Sequence, residues 1–408
     1  MNTIDKLHDL KGKKVLVRVD FNVPLKGSEV RDDNRVVQAL PTIQKLLSEG
    51  ARVVLMSHLG KIKWGKVDDA EIAKEKEKNN MEYVLPVLEK HLPGVKVTFS
   101  PETRGEKLTE HINALHDGEV LLVQNTRYET GESKNDPELA KDWASNFDAF
   151  VMDAFGSAHR AHASTYGVPE VLKEEGKQVA LGYLMEKEVQ NLGACVKGDV
   201  HPYVAILGGF KVSDKIKVID SLLRKCDKIL IGGAMAYTFY KALGVGIGTS
   251  PCEDDQLDYA RKCYASGKVL LPVDGVCADS IDNPTKITTV ETDIEKHSPG
   301  IPEGLEGLDI GPRTVALYSD IIRKAKLIFW NGPVGVFEKE EFQKGTIEIC
   351  KAITLNTDAF SVIGGGDSAA AAKEFDYADK FSHVSTGGGA SLEMIENDGH
   401  LPGIDIIG

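Results

Sequence analysis

VLVRVDFNVP, residues 15–24, begins as an apolar, β-branched run and ends in Asp20, Asn22 and a proline. Such a run is typical of a strand buried on both faces. Apolar residues at helical spacing follow over residues 36–47. The same order of strand, turn and helix recurs, with further strand patterns at residues 53–57, 95–100, 120–123 and 150–155 and helical patterns at 81–92 and 137–146. Strands alternating with helices predict a parallel sheet covered on both faces.

The strand series starts again after an amphipathic stretch at residues 184–196. Its strand patterns lie at residues 204–207, 229–231, 269–273, 327–330, 361–363 and 383–385. We therefore predict an α/β fold of two doubly wound, Rossmann-like parallel-sheet lobes, with a hinge and an interlobe cleft. The predicted divisions are an N-terminal lobe (1–183), a connecting helix (184–197), a C-terminal lobe (198–390) and a C-terminal segment (391–408).

Charge and composition narrow the class of partner. The 408 residues include 49 basic and 62 acidic ones, for a net charge of −13. Nucleic-acid and anionic-membrane binders usually carry a basic surplus, so we expect no nucleic acid and no membrane as partner. The six cysteines show no metal-ligand spacing, and no signal-peptide or membrane-span pattern is present. The sequence predicts a cytoplasmic protein.

In the first half, the strands end in polar and basic groups. Ligands of open parallel sheets bind beyond the carboxyl ends of the strands, so these residues mark the predicted site. They are Asp20, Asn22, His58, Arg127 and Arg160, with Arg35 at a predicted helix start. Guanidinium groups match carboxylate and phosphate oxygens. Each residue alone also suits an ordinary surface position, but the set predicts a site for a small polyanion.

In the second half, the strands end in glycine. The glycine runs are residues 208–209, 232–233, 332, 364–366 and 387–389. One doublet would only ease a tight turn, whereas five predict backbone N–H groups facing phosphate oxygens. We expect Lys211 and Lys215, one turn apart on the helix after Gly209, to face the phosphates. Asp367 is predicted to cap a helix, to hold Mg²⁺, or to do both.

Signatures of several other enzyme classes are absent. No P-loop, no Gly-x-Gly-x-x-Gly after a strand, no Gly-x-Ser-x-Gly and no His-Glu-x-x-His occurs. Two alternatives remain open from the residues. One is another two-lobed kinase acting on a different carboxylated or phosphorylated acid, and the other is a nucleotide-gated binding or scaffold protein.

The motifs taken together resemble the phosphoglycerate kinase family over nearly the whole chain. They are, in order, VRVDFNVP (17–24), SHLG (57–60), GGFKVSDK (208–215), WNGPVGVFE (330–338) and HVSTGGGAS (383–391). The resemblance implies reversible, Mg²⁺-dependent phosphoryl transfer from 1,3-bisphosphoglycerate to ADP, giving 3-phosphoglycerate and ATP in glycolysis and gluconeogenesis, with hinge-bending closure. It also implies that the C-terminal residues return to the first lobe, and we expect a monomer.

The resemblance implies a role for each matching position. The acid would bind the first lobe through Asp20, Asn22, Arg35, His58, Arg127 and Arg160. ADP or ATP would bind the second lobe through Gly209, Lys211, Lys215, Gly233, Leu308, Asn331, Glu338, Gly365, Gly366, Asp367 and Ser368, with Asp367 also holding the metal. Catalysis would fall to Arg35, Lys211, Gly366 and Gly389.

Two positions depart from the family pattern. Lys61 stands where an arginine often follows the His-Leu-Gly motif, which keeps the charge but loses the bidentate fork. Phe210 stands where a small alanine is usual, so the packing against the nucleotide is expected to differ here.

Overall fold

A computed structural model describes residues 1–408. The chain forms two compact units. The first contains Met1–Gln190 and His400–Gly408, and the second contains Asn191–Gly399. The stretch 391–408, predicted as one segment, is thus shared between the units. None of the helices combines the length and the apolar composition that a membrane-spanning helix requires.

A six-stranded parallel sheet forms the centre of the first unit. In spatial order its strands are Val97–Ser100, Val120–Val123, Arg52–Met56, Lys14–Val19, Ala149–Asp153 and Gln178–Leu181. Val17 pairs with Leu55 on one side and Val151 on the other. From strand Lys14–Val19 the chain first adds strands on one side of the sheet and then on the other. Ligand-binding crevices are expected at such a switch point, at the carboxyl end of the strand.

Helices cover both faces of this sheet, as its central strands require because they are buried over almost their whole length. They are Asn34–Ser48, Asp69–Lys78, Leu85–His91, Glu106–Asn113, Pro137–Ala144, Val168–Glu174, the start of Tyr183–Lys197, and Pro402–Asp405. Val36, Ile43 and Leu46 pack from the first helix into a core that includes Val17 and Val53. A two-stranded hairpin, Leu25–Lys26 with Glu29–Val30, lies between the first strand and that helix.

A second six-stranded parallel sheet forms the centre of the second unit. Its spatial order is Val269–Leu270, Lys228–Ile231, Tyr203–Leu207, Leu327–Asn331, Phe360–Ile363 and His383–Val384. The helices of this unit are the end of Tyr183–Lys197, Ile216–Lys225, Met235–Ala242, Leu257–Ala265, Pro312–Lys324, Lys344–Leu355, Gly366–Glu374 and Gly388–Glu396. The predicted α/β class with two doubly wound parallel sheets is confirmed.

The second unit also contains strands outside its main sheet. Asp274–Ala278 pairs antiparallel with Ile287–Glu291 and with Glu306–Ile310. Gly246–Ile247 pairs with Gly300–Ile301. Residues 287–291 therefore belong to a small antiparallel sheet beside the main one.

Candidate active site

Asp20 and Arg35 meet at the carboxyl end of the central strand of the first unit. Strand Lys14–Val19 ends one residue before Asp20, and Arg35 lies in the first turn of helix Asn34–Ser48. Arg35 donates from Nη1 to both carboxylate oxygens of Asp20, at 2.9 and 3.0 Å. The Arg35 side chain stays 41% exposed, so its other nitrogen atoms are open to a ligand.

His58 is a neutral imidazole at the same edge. It follows strand Arg52–Met56 and is 8% exposed, with Nδ1 3.0 Å from Nη2 of Arg18. Burial, followed by the positive charges of Arg18 and Arg127, holds the pKa of His58 well below its ordinary value. His58 therefore adds a polar ring to the site without adding charge near neutral pH.

Arg127 connects two strand ends and keeps an unused donor. Its Nη1 donates to the carbonyl of Gly60 at 2.6 Å, and its backbone N–H donates to Oδ1 of Asn125 at 3.0 Å. The Nε atom of Arg127 is buried and has no hydrogen-bond partner. A buried donor without a partner is costly, which favours an anion at this position.

Asn22 and Arg160 complete the predicted first-unit set. The side-chain oxygen of Asn22 accepts a 2.8 Å hydrogen bond from the backbone of Gly60. Arg160 is exposed, and burial, with a smaller contribution from the positive charge of Arg160, lowers the pKa of both Arg127 and His162. The structure thus brings Asp20, Asn22, Arg35, His58, Arg127 and Arg160 to one edge, which we name the basic edge. Lys61 is exposed beside it and has no ion pair.

The sequence interpretation missed the buried support of the basic edge. Arg18 is 1% exposed and donates from Nε to Ser164 at 2.8 Å. Glu132 is fully buried and accepts from the backbone and hydroxyl of Ser164 at 2.8 and 2.7 Å. His162 lies near both, and burial lowers its pKa to about 4. The sequence offered one signal of this buried support, which is the position of Arg18 inside an otherwise apolar strand pattern.

Glycines in the second unit let three loops approach one another closely. A Cβ on Gly208 would lie 2.0 Å from the carbonyl oxygen of Pro333, so only glycine fits there. Gly209 has φ +99° and donates its backbone N–H to that same oxygen at 3.1 Å. Gly233 also touches this junction, because its Cβ position lies 2.7 Å from the nitrogen of Gly209. We name this junction the glycine edge.

Lys215 is a half-buried lysine at the glycine edge. It donates to the carbonyl oxygens of Gly208 and Asn331, the second at 3.5 Å, and forms no ion pair. Burial lowers its pKa to about 8, partly offset by Asp214 and Asp367. A buried ammonium group that meets only carbonyl oxygens favours an anionic ligand.

The predicted placement of the two lysines on one helix is wrong. Lys211 lies in an irregular loop, Lys215 ends the short 3₁₀ turn Ser213–Lys215, and the helix begins only at Ile216. Lys211 is exposed and carries no side-chain hydrogen bond. The glycine-rich loop continues past residue 209, so the two ammonium groups approach the site from different elements.

Asn331, Ser368 and Asp367 lie where two further strands end. Asn331 donates to the carbonyl of Gly364, and Ser368 accepts from the backbone of Gly332 at 2.6 Å. Gly365 (φ +138°) is the N-cap residue of helix Gly366–Glu374, so Asp367 does not cap this helix. The Asp367 carboxylate is exposed in the first turn beside Gly366. Gly389 is likewise exposed in the first turn of helix Gly388–Glu396.

A pocket with one apolar side opens at the glycine edge. Gly209, Gly233, Leu308, Glu338 and Asp367 line it together with Phe210, Ala234, Tyr237, Pro251, Ile281, Glu306, Gly307, Pro333, Gly335 and Val336. Leu308 is buried among Phe342, Ala278 and Val336. Apolar walls next to a cation and free carboxylates suit a ligand with a flat ring and a charged end.

The residues present fit a magnesium ion that arrives with phosphates. No group of three or more His, Cys, Asp or Glu side chains forms a metal cluster. Asp367 offers exposed carboxylate oxygens in the pocket, in the first turn of helix Gly366–Glu374, and it forms no ion pair. Mg²⁺ commonly takes one or two protein carboxylates and fills its other positions with substrate phosphates and water.

Comparisons with known proteins agree on one family. A family model described as phosphoglycerate kinase matches residues 4–398. A phosphoglycerate kinase from Fusobacterium nucleatum is 52% identical over 405 residues, covering 98% of this chain and 97% of its own. One from Levilactobacillus brevis is 49% identical over 411 residues, with the same coverage of both chains.

Solved structures extend the similarity to the whole fold. Phosphoglycerate kinase from Coxiella burnetii has a TM-score of 0.83 at 37% identity, over 99% of this chain and 98% of its own. The enzyme from Pyrococcus horikoshii has a TM-score of 0.81 at 31% identity, over 100% and 98%.

Proposed function

The chain belongs to the phosphoglycerate kinase family, and from this premise we propose how its two edges share the reaction. The activity is reversible phosphoryl transfer from 1,3-bisphosphoglycerate to ADP, which gives 3-phosphoglycerate and ATP. One observation carries the proposed division: the basic edge gathers arginines about the Asp20–Arg35 ion pair, whereas the glycine edge combines a partly apolar pocket with the half-buried Lys215.

The basic edge is the proposed acid-binding site. Arg35, Arg127 and Arg160 supply guanidinium groups that match the carboxylate and phosphate oxygens of 3-phosphoglycerate. The partnerless Nε of Arg127 would gain an acceptor on binding. Asp20, Asn22 and His58 hold these cations and the glycerate hydroxyl in place, and Asp20 in particular fixes Arg35.

The glycine edge is the proposed nucleotide site. Lys211, Lys215, Asn331 and Ser368 are placed to contact phosphates, together with the backbone of Gly209, Gly365 and Gly366. Gly233 and Leu308 lie against the base, and the exposed Glu338 carboxylate accepts from ribose hydroxyls. Asp367 would hold Mg²⁺, which, when bound, neutralises part of the phosphate charge.

Transfer itself requires positioning and charge neutralisation more than covalent chemistry. We assign Arg35 to the acid side of the transferred group and Lys211 to the nucleotide side. The helices that begin at Gly366 and Gly388 would direct the partial positive charge of their N-termini at the transferred group. Gly366 and Gly389, in the first turns of these helices, would supply the backbone N–H groups. No general base is needed in the direction of ATP formation, because the attacking phosphate of ADP is already anionic.

Closure of the two units on their ligands is the proposed conformational step. Helix Tyr183–Lys197 passes from one unit to the other near Gln190, and residues 385–391 are the second proposed hinge. Closure would exclude water, the competing acceptor. We further propose that the enzyme acts as a monomer in the cytoplasm, where glycolytic substrates are made.

Calorimetric titration of each ligand tests the division between the two edges. Arg160→Ala should weaken binding of 3-phosphoglycerate by about 10- to 100-fold, the loss of one charge-assisted contact, and leave MgADP unchanged. Lys211→Ala should weaken binding of MgADP and leave binding of 3-phosphoglycerate unchanged. A variant that weakens the ligand assigned to the opposite edge would contradict the division. Binding of both ligands without any turnover would favour a scaffold protein instead.

A further inference from the structure

We propose that Phe210 is a base-stacking residue, whose ring covers the face of the bound purine that the pocket walls leave open. This inference rests on the proposed nucleotide site and adds a contact to it. Phe210 is the only exposed aromatic side chain of the chain, at 61% exposure, and it lines the pocket at the glycine edge. Covering a large apolar ring that stands in water is favourable, so a flat ligand in the pocket would gain by contact with it.

The backbone holds Phe210 beside the apolar part of the pocket. On one side, the carbonyl of Gly209 accepts a 3.1 Å hydrogen bond from Met235, at the start of the helix that carries Tyr237. On the other side, the backbone N–H of Val212 donates to Glu253 at 2.6 Å. Phe210 is therefore fixed between two anchors on the apolar side.

The second anchor is itself firm. Glu253 also accepts from the hydroxyl of Ser213, and its backbone N–H donates to Thr238 at 3.1 Å. Thr238 belongs to helix Met235–Ala242, and Pro251, two residues before Glu253, lines the pocket. Both anchors thus lead to the same helix, which positions the loop in advance of binding.

The chemistry of the ring selects its partner. Phosphates bind to Lys215, Lys211 and backbone N–H groups, and a phenyl ring offers them nothing. A purine presents a flat π-face, which stacks favourably on an aromatic ring whatever the base. Leu308 and Val336 line the same pocket, and with them the ring of Phe210 would complete a slot for the base.

Binding measurements on the full chain separate stacking from other roles. Phe210→Ala should raise the Kd of MgADP and of MgGDP by about 5- to 100-fold, with kcat within about twofold of wild type. Inorganic tripolyphosphate, which has phosphates and no base, should bind both proteins equally. Phe210→Trp should restore ADP binding, and its fluorescence should change on adding ADP, whereas Phe210→Leu should restore little.

Leu355→Ala is the matched control, because Leu355 is 70% exposed and lies outside the pocket. It should bind ADP as wild type does. An unchanged Kd for ADP in Phe210→Ala would overturn the inference, as would equal weakening of ADP and tripolyphosphate or full restoration by leucine. Each of these results leaves the kinase activity of the wild type standing, whereas a wild type without ADP-dependent turnover would overturn the proposed function itself.

Discussion

Asp153 is a single buried carboxyl that ties the first sheet to the connecting helix. It ends strand Ala149–Asp153, and its Oδ1 accepts from the backbone of Leu184 at 3.0 Å and of Met185 at 3.3 Å. Its Oδ2 is buried and has no partner. Burial raises the pKa of Asp153 to about 7, so the folded protein holds this proton more tightly than the unfolded chain does.

The raised pKa predicts how Asp153→Asn changes stability with pH. Between pH 3.8 and 7 the folded state binds more protons at this group, so wild-type stability from it is lost as the pH rises to about 7. Asparagine keeps the acceptor and cannot ionise. The free energy of unfolding of the variant, relative to that of wild type, should therefore rise by on the order of 2 kcal/mol between pH 5 and pH 8, as measured by urea unfolding. Parallel pH dependences for both proteins would contradict this, and the exposed Asp199→Asn is the control.

Residues at strand ends could be predicted, and residues beneath them could not. Asp20, His58 and Arg127 follow recognisable strands, so the rule for parallel sheets places them together. Arg18 lies inside a strand, and its burial depends on Ser164, 146 positions away. Glu132 has the same dependence on Ser164. Such long-range contacts leave no periodic pattern in the sequence.

At the scale of elements, apolar runs carried most of the information. The strand patterns at residues 120–123 and 204–207 correspond to Val120–Val123 and Tyr203–Leu207. The start of helix Ile216–Lys225 was missed because the loop after Gly209 is held by tertiary hydrogen bonds to Met235 and Glu253. Propensity alone extends the helix back to Lys211, and those contacts override it.

The small antiparallel sheet shows a second limit at this scale. Strand Ile287–Glu291 alternates exposed and half-buried residues, and Glu306–Ile310 lies across a 14-residue gap filled partly by proline and glycine. A five-residue stretch with no buried residue reads as a loop in the sequence, because the strand that pairs with it cannot be identified there. In the fold, Gly307 and Leu308 of this sheet line the pocket at the glycine edge.

At the scale of the whole molecule, the proposed reaction uses one site from each unit, and the proposed closure would bring the two ligands together. Helix Tyr183–Lys197 is continuous across the boundary at Gln190, so bending at its ends would carry each unit as a body. Division of the chain into two sheets could be predicted because the strand series stops and restarts. The exact boundary could not, because a continuous helix has no sequence signal at its middle.

Small-angle scattering tests the proposed closure. The radius of gyration should fall when 3-phosphoglycerate and MgATP are both bound, and change less with either alone, because both ligands are needed to hold the units together. Arg160→Ala, which is expected to bind the acid poorly, should show the smaller change at the same ligand concentrations. Equal radii with and without both ligands would contradict hinge bending.

The most direct test of the account is ATP formation from ADP, Mg²⁺ and 1,3-bisphosphoglycerate by the wild type and by Arg35→Ala. We predict strong wild-type activity and a loss of about 10²- to 10³-fold in kcat in the variant, with an unchanged circular dichroism spectrum. Arg52→Ala, which removes an arginine paired with Asp117 at the opposite end of the sheet, should retain full activity. An Arg35→Ala enzyme that turns over within a few-fold of wild type would contradict the assignment of the basic edge to the transfer.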